Sequence, residues 1–488
     1  MNIKKELFRG SVTVSILTFI GHILSTVLKV TLSRLFGIQI FGIFSLIMVF
    51  SRFFATVISL GYNQSIVYFI SKYKVRNEWG KISKVFNKGL YGITLSSLLM
   101  VIILIACKTY FMKYFFPDNE YNIIIFIVAI MIIIATNNYI SAVLIGLKKV
   151  REQTIIFTSL YPAIMILSLF LTIYQTNSES FEIFLFFGIS INVIALLTIL
   201  VITKFNVNKK VVSKKENYSI KLSQYSVPIW VSTLLRSAIG KADRIMLGFL
   251  MPVDQVGVYN AGLTLSILFA FPLRSLKPIL DPLIVERYIN NDFKSLNILF
   301  NTMIRWTSLF VIPTFGFIIC FGVNIIQLFG RDFASGYAVM LVLSVSQMVS
   351  TVFGVANSFL NMADRPKSNM KINVFGALIT VFFNMLLIPK WGGLGAAIGT
   401  SISLIIINLL RINTVTKHFR IILDPSIILN LFIKFLPLTL VCLKLIVWNI
   451  LTWIYIAFGY LFISCAIIYL MLNKSERSAI RSLLEYKN

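Results

Sequence analysis

Long apolar blocks separated by short polar segments run along the whole chain. A helix needs about 20 apolar residues to cross a hydrocarbon core of about 30 Å. Outer-membrane barrels instead alternate apolar and polar residues over about 10 positions, and these blocks do not alternate. The pattern predicts an all-α polytopic membrane protein with about 14 transmembrane helices. The predicted spans are 12–35, 41–70, 89–112, 121–146, 155–175, 182–203, 225–248, 256–283, 301–329, 337–361, 372–389, 393–413, 427–447 and 449–472.

Composition agrees with this class. The chain has 488 residues, of which 58% are hydrophobic and 13% are charged. Its mean hydropathy is +0.87. A soluble protein would carry about 25% charged residues, so a soluble enzyme or binding domain is excluded.

Basic residues outside the spans are distributed unevenly. If the N-terminus lies inside, the inner segments hold 29 lysines and arginines and the outer connections hold 5. Cytoplasmic loops collect such residues, so the sequence predicts that both termini are cytoplasmic. The same loops account for the net charge of +27. We therefore expect no nucleic-acid partner.

The chain also repeats itself at an offset of about 215 residues. Lys29 corresponds to Arg244, and Phe41-Gly42-Ile43-Phe44 corresponds to Val256-Gly257-Val258-Tyr259. Six spans per copy is an even number, so both copies have the same orientation. Repeated halves are typical of transporters, and the sequence predicts two six-helix repeats that form a central cavity, plus two C-terminal helices.

This organisation gives five predicted segments. They are an N-terminal six-helix bundle at 1–203, a basic cytoplasmic linker at 204–224, a C-terminal six-helix bundle at 225–413, two additional helices at 427–472, and a cytoplasmic tail at 473–488.

Charged residues inside the spans provide the candidate site. A charge at the centre of a span costs at least about 2.5 kcal/mol, so it normally faces a cavity or a partner. The charged residues inside the spans concentrate in spans 1, 2, 7 and 8, which are the first two spans of each repeat. The basic candidates for substrate binding are Lys29, Arg52, Arg236, Lys241, Arg244, Arg274 and Lys277. Two acids, Asp243 and Asp281, accompany them.

Spacing places several of these residues on shared helix faces. Arg236, Asp243 and Arg244 follow a helical period in span 7, and Arg274, Lys277 and Asp281 do so in span 8. The prolines of span 8 predict a bent helix because each removes a backbone donor. A basic cavity would attract an anion, and guanidinium groups match phosphate oxygens. A cationic drug would not fit it.

Alternatives remain open for individual residues. Arg52, Arg236 and Lys241 could instead extend to the membrane interface if the span boundaries shift. Asp243 and Asp281 have two interpretations, ion coupling or neutralisation of nearby arginines. The chain lacks a phosphate-binding loop and a metal-binding motif. We therefore predict no cofactor, no metal and no enzymatic activity.

Several motifs resemble a known family. They are Arg34-Leu35-Phe36-Gly37, Ser59-Leu60-Gly61-Tyr62, Lys241-Ala242-Asp243-Arg244-Ile245-Met246-Leu247-Gly248, Val256-Gly257-Val258-Tyr259 and Gly392-Gly393-Leu394-Gly395-Ala396-Ala397. Together with the six-six-two arrangement, they resemble polysaccharide flippases of the multidrug/oligosaccharidyl-lipid/polysaccharide exporter superfamily. The resemblance covers nearly the whole chain.

The resemblance implies a flippase for O-antigen or capsule repeat units in the bacterial inner membrane. Such a protein turns an undecaprenyl-diphosphate-linked oligosaccharide from the cytoplasmic to the periplasmic leaflet, driven by an ion gradient or the membrane potential. The diphosphate and acidic sugars would then contact Lys29, Arg52, Arg244, Arg274 and Lys277. Expected partners are this lipid-linked oligosaccharide, membrane lipids, a polysaccharide polymerase and a chain-length regulator.

Two other functions remain open. A lipid II flippase of the same superfamily also uses basic residues in spans 1, 2 and 8. A membrane scaffold could recruit polymerase and glycosyltransferases without transport, and charge reversal in the cavity would discriminate it from a transporter.

Overall fold

The computed structural model describes residues 3–116, 123–176, 181–208, 222–362, 366–447 and 453–471. These residues form helices joined by short turns, and they contain no strand. The predicted all-α polytopic class is therefore confirmed. The tail at 473–488 and most of the linker at 204–224 lie outside the described residues.

The helices of the first part of the chain are α1 (Ile3–Ile58), α2 (Tyr62–Val75), α3 (Trp79–Ala106), α4 (Lys108–Phe115), α5 (Ile123–Gly146), α6 (Val150–Thr154), a π-helical segment (Ile155–Leu160), α7 (Tyr161–Thr176), α8 (Phe181–Asn208), α9 (Leu222–Ile239), α10 (Ala242–Leu250) and α11 (Val253–Ser266). A 3-10 turn at Ile267–Ala270 then leads into α12 (Phe271–Ile289) and α13 (Phe293–Ile326). Two further 3-10 turns, Gln327–Phe329 and Arg331–Gly336, precede α14 (Tyr337–Val352), α15 (Val355–Met362), α16 (Pro366–Phe419), α17 (Pro425–Val447) and α18 (Trp453–Met471).

Eleven helices in the described ranges are long and apolar enough to cross a membrane. Two of them are much longer than one crossing requires. The helix at Leu17–Ile58 has 42 residues and the one at Lys367–Phe419 has 53, whereas about 20 residues suffice. The predicted number of fourteen is not confirmed by this count and stays a prediction.

Glycines interrupt both long helices. Gly37 has φ 76° and ψ −178° within α1, and Gly392 has φ 53° and ψ −129° within α16. Both φ values are in the left-handed region that glycine adopts without a Cβ clash. Each of these glycines lies between two predicted spans, at the point where the sequence separates into two apolar blocks.

The outward surface of the helices is apolar. Side chains such as Phe186 on α8 and Phe462 on α18 are 66% and 78% exposed. Apolar surface of this extent in long helices is stable in lipid, where backbone groups are satisfied within each helix. The chain is therefore a multi-pass membrane protein.

The chain folds into two compact units. The first contains residues 1–260 and 380–396, and the second contains residues 261–379 and 397–488. The first unit includes α9, which contacts α1 and α2, and α10, which contacts α1. The predicted boundaries of the repeats describe sequence similarity and stay predictions.

The core of the first unit is built where α2, α3 and α5 meet. Ile66, Ile70, Phe86 and Tyr139 are almost completely buried there. The Tyr139 hydroxyl donates a hydrogen bond to the backbone carbonyl of Phe86. This bond satisfies the hydroxyl inside the apolar core, where an unpaired one would cost free energy.

A tight corner joins α1 to α2 in the same unit. Leu60 and Gly61 have φ values of 46° and 73°, which end one helix and start the next. A Cβ on Gly61 would lie 2.3 Å from the backbone oxygen of Ser226 on α9. The Trp230 indole N–H, one helical turn further along α9, donates a 2.9 Å hydrogen bond to the carbonyl of Val57. The corner therefore holds α9 against α1 and α2.

In the second unit, α13 contacts α14, α17 and α18. Phe321 and Tyr460 are buried in one cluster between these helices. The Tyr460 hydroxyl donates a 2.9 Å hydrogen bond to the backbone carbonyl of Pro313 within α13. The two C-terminal helices thus share a packed core with the second unit.

The Gly61 corner yields a test of packing. Gly61→Ala should lower the unfolding stability by at least about 1–2 kcal/mol, because alanine is strained in the left-handed region and its Cβ would overlap the Ser226 carbonyl. The measurement is denaturant unfolding of the purified protein in detergent.

Gly459→Ala is the matched control. A Cβ at this position in α18 meets no atom within 4 Å, so helix propensity should make the change neutral or stabilising by up to about 1 kcal/mol. Equal destabilisation by both substitutions would contradict the assigned role of the corner.

Candidate functional site

The first unit contains a cavity of about 320 Å³ with a strongly basic lining. We call it the basic cavity. Lys29 and Arg52 reach it from α1. Lys241 immediately precedes α10, and Arg244 lies in the first turn of that helix. Four of the seven predicted basic site residues therefore line a single cavity.

The break at Gly37 makes this meeting possible. Lys29 and Arg52 are 23 positions apart in α1, which would be about 35 Å in a straight helix. Residues on both sides of Gly37 nevertheless line the same cavity, including Leu28 and Phe44. The chain therefore turns back at Gly37, and the two cations come from the two arms of the turn.

A second interruption positions Lys241. Span 7 is divided into α9 and α10, with a turn at Gly240 and Lys241 between them. The ammonium group of Lys241 donates a hydrogen bond to the hydroxyl of Ser237, one turn earlier. The turn thus directs Lys241 towards the cavity from between two helices.

Asp243 contacts Arg244 through a carboxylate that is buried and does not line the basic cavity. The Asp243 side chain is only 6% exposed. Its Oδ2 accepts a 2.6 Å hydrogen bond from the Tyr259 hydroxyl, and its Oδ1 accepts a 2.8 Å bond from the backbone N–H of Arg244. The Arg244 Nε lies 3.5 Å from the same Oδ1.

Arg244 has another anchor in the preceding turn. Its Nη2 donates a 2.9 Å hydrogen bond to the carbonyl of Gly240. The guanidinium is thereby fixed by two neighbours while it still lines the cavity. These contacts favour the interpretation that Asp243 neutralises Arg244. This role remains a prediction.

Aromatic side chains that the sequence analysis missed form another wall. Phe157 and Tyr161 line the cavity, and Phe157 belongs to the π-helical segment Ile155–Leu160. Such segments interrupt α-helices, often at functional sites. The sequence feature that could have indicated this wall is the Tyr161-Pro162 pair, which lies inside a predicted apolar span without charged residues.

The remaining predicted residues lie elsewhere. Arg236 is exposed on α9 and is not among the residues that line the basic cavity. Arg274, Lys277 and Asp281 lie on α12 in the second unit. Their participation in one site with Lys29 and Arg244 stays a prediction.

The predicted bend of span 8 has a counterpart in the structure. The α-helix α11 ends at Ser266, and a 3-10 turn at Ile267–Ala270 precedes α12, where Pro272 stands in the first turn. A proline cannot donate to the carbonyl four residues earlier, and that residue, Leu268, lies in the 3-10 turn. The helix continues through Pro278 and Pro282.

Two arginines near the ends of spans were not singled out from sequence. Arg411 donates hydrogen bonds to Asn369 and Asn373, at 3.1 Å and 2.6 Å. Arg305 donates a 2.7 Å bond to the backbone carbonyl of Met471. Arg411 thus joins the two arms of α16 on either side of Gly392, and Arg305 links α13 to α18.

The electrostatics of the basic cavity follow from its lining. Within the described residues, the lining contains four lysine and arginine side chains, the histidine His22 and no carboxylate. Charges interact more strongly near a low-dielectric interior than in water. The cavity is therefore suited to an anionic group, and guanidinium groups can bind phosphate oxygens in pairs.

The Asp243 contacts generate a prediction about stability. Tyr259→Phe should lower the unfolding free energy by about 1.5–3 kcal/mol, the usual range for a hydrogen bond to a charged group. In an Asp243→Ala background the same change should cost much less, because the acceptor is already gone. A double-mutant cycle by denaturant unfolding in detergent measures this coupling. Additive effects of the two changes would contradict the contact.

Comparison with known proteins adds relatives and structural neighbours. The probable flippase AglR of Haloferax volcanii is 24% identical over 233 residues, which cover 47% of this chain and 49% of that protein. The match thus spans about half the length of AglR.

Two solved structures share the fold. The lipid II flippase MurJ in an inward closed conformation has a TM-score of 0.67 at 17% identity, and the match covers 94% of this chain and 99% of that one. An inward-facing multidrug resistance MATE family transporter of the MOP superfamily has a TM-score of 0.62 at 13% identity, covering 84% and 94%. At these identities the likeness establishes the fold alone.

Family models give the classification. A model described as MatE matches residues 228–386. A model described as polysaccharide biosynthesis protein matches residues 7–275, which is more than half of the chain and includes all four cations of the basic cavity. The predicted resemblance to the polysaccharide exporters of this superfamily is confirmed, and the chain belongs to the polysaccharide biosynthesis protein family.

Proposed function

We propose that this protein is a flippase for lipid-linked oligosaccharides. It turns an undecaprenyl-diphosphate-linked unit from the cytoplasmic to the periplasmic leaflet by alternating access, for O-antigen or another surface polysaccharide. The chain belongs to the polysaccharide biosynthesis protein family. A relative named a probable flippase matches this chain over about half of the relative's length. The fold shared with MurJ is compatible with this activity.

The observation that carries the proposal is the basic cavity. Lys29, Arg52, Lys241 and Arg244 line one cavity within predominantly apolar helices. Several cations in the interior of a membrane protein are costly and mark substrate pathways. An anionic ligand offsets their mutual repulsion, so binding a diphosphate would stabilise the arrangement.

The ligand must combine this anion with an apolar anchor. A diphosphate attached to a polyprenyl chain has both, because the chain stays in the hydrocarbon while the phosphates enter the cavity. The charged head group alone cannot cross the bilayer at a useful rate, since ions are strongly disfavoured in an apolar medium. A protein cavity that replaces water with Lys and Arg donors lowers this barrier.

Topology and partners complete the proposal. The bias of 29 basic residues against 5 supports a cytoplasmic location for both termini, in the inner membrane. The proposed energy source is an ion gradient or the membrane potential. A polysaccharide polymerase and a chain-length regulator are the proposed partners, and the protein itself carries out no chemical step.

Loss of the gene should cause lipid-linked oligosaccharide to accumulate in the cytoplasmic leaflet. Wild-type protein should restore surface polysaccharide, whereas Arg244→Glu should reduce its export on the order of tenfold or more, because a hydrogen-bonded cation in contact with phosphate is replaced by an anion. Surface polysaccharide and accumulated lipid are measured by chromatography and mass spectrometry.

Lys113→Glu is the matched control, since Lys113 is exposed on α4 and does not line the basic cavity. It should export normally. Protein levels must be equal in all strains. Normal export with Arg244→Glu would rule out the cavity as the binding site, and a scaffold function would then be favoured.

Lipid II is the alternative substrate within the same chemistry, because it too is a polyprenyl diphosphate. A strain depleted of its lipid II flippase discriminates the two. We expect this protein not to restore growth of that strain at levels that restore polysaccharide export in the first. Full rescue of growth would instead favour the lipid II function.

A further inference from the structure

Two further cavities extend from the basic cavity within the first unit, one next to it and one beyond. A cavity of about 470 Å³ shares Arg52, Tyr161 and Lys241 with it. A third cavity of about 540 Å³ shares Thr56, Asn138 and Ser141 with the second. The three form a series along α1, and both added volumes fall within the range of about 300–1,000 Å³ that is usual for ligand sites. We call the second and third the amide-lined cavities.

Their lining differs in kind from that of the basic cavity. Side-chain amides come from Asn63 and Gln64 at the start of α2 and from Asn137 and Asn138 on α5. Among the described lining residues, only Arg52 and Lys241 carry a charge, and both belong to the wall shared with the basic cavity. Charge therefore decreases along the series while hydrogen-bonding groups persist.

One amide of the third cavity has an acceptor that the protein leaves unused. The side-chain oxygen Oδ1 of Asn63 is buried and has no hydrogen-bond partner among the described residues. A buried acceptor without a donor costs about 1–3 kcal/mol. By contrast, the nearby Ser65 hydroxyl has a partner one turn earlier, because it donates a 3.0 Å hydrogen bond to the backbone carbonyl of Gly61.

Amides and hydroxyls together define the ligand class. Each amide offers donors and an acceptor. The hydroxyls of Thr56, Ser59 and Thr233 donate to helix carbonyls, so they offer acceptors to a ligand. Sugar hydroxyls both donate and accept hydrogen bonds, so they can pair with every one of these groups. A carboxylate would meet cations only in the wall shared with the basic cavity, and its desolvation elsewhere would be costly.

We propose that the amide-lined cavities bind the uncharged sugars of the lipid-linked oligosaccharide, while the basic cavity binds its diphosphate. This assignment rests on the proposed flippase function and extends it. It orients the substrate along α1, with the first sugar beside Phe157 and Tyr161, which border both the basic cavity and its neighbour. It also narrows the glycan to one whose units nearest the diphosphate are neutral.

Binding of defined lipids to the purified protein in nanodiscs tests the assignment. The probes are undecaprenyl diphosphate, the same lipid carrying a neutral N-acetylglucosamine–galactose disaccharide, and a third in which glucuronic acid replaces galactose. The variants are Asn63→Ala and Asn138→Ala, with Asn87→Ala as the matched control. Asn87 is exposed on α3 and lines none of the three cavities.

Asn63→Ala and Asn138→Ala should each weaken binding of the neutral disaccharide lipid about three- to tenfold, because each removes hydrogen bonds to sugar. Both should bind undecaprenyl diphosphate as the wild type does, which also shows that they are folded. Asn87→Ala should leave all affinities unchanged. Asn138→Lys should favour the glucuronic acid lipid over the neutral one.

The outcomes separate this inference from the proposed function. If the asparagine variants weaken both lipids equally, or neither, the sugar assignment is overturned while diphosphate binding stands. If wild-type protein fails to bind undecaprenyl diphosphate, or Lys29→Gln leaves that binding unchanged, the proposed function itself fails and this inference with it.

Discussion

The reversal of the chain at Gly37 is the feature on which the rest of the site depends. Lys29 and Arg52 would lie about 35 Å apart on a straight helix, yet both line the basic cavity. Glycine permits the positive φ of 76° that the reversal requires. Without it the two cations could not serve one anion, and Arg52 could not form the wall that the basic cavity shares with the amide-lined cavities.

Charge in this unit is arranged asymmetrically. The carboxylate of Asp243 is buried against Tyr259 and Arg244, so it balances one arginine without lining the cavity. The remaining cations have no lining acid among the described residues. The excess of positive charge in the lining attracts anions, and this attraction is stronger in a low-dielectric interior than in water.

Several of the side chains that enter the cavities come from interrupted helices. The turn at Gly240 presents Lys241, the π-helical segment presents Phe157, and the corner at Gly61 precedes Asn63. An unbroken helix in lipid satisfies its own backbone groups, and breaks are tolerated where they line a cavity. These breaks therefore lie beside the cavities.

The sequence by itself determined the class of the protein, most of its helix positions and the concentration of cations in a few spans. These are local properties, since hydrophobicity and the cost of an intramembrane charge belong to each residue and its neighbours in the chain. Only the tertiary structure decided that Lys241 lines the basic cavity while Arg236 does not, and that Tyr161 and Asn63 line cavities at all. Those outcomes depend on where the chain reverses and which helices then meet, and no periodicity within a single span encodes that geometry.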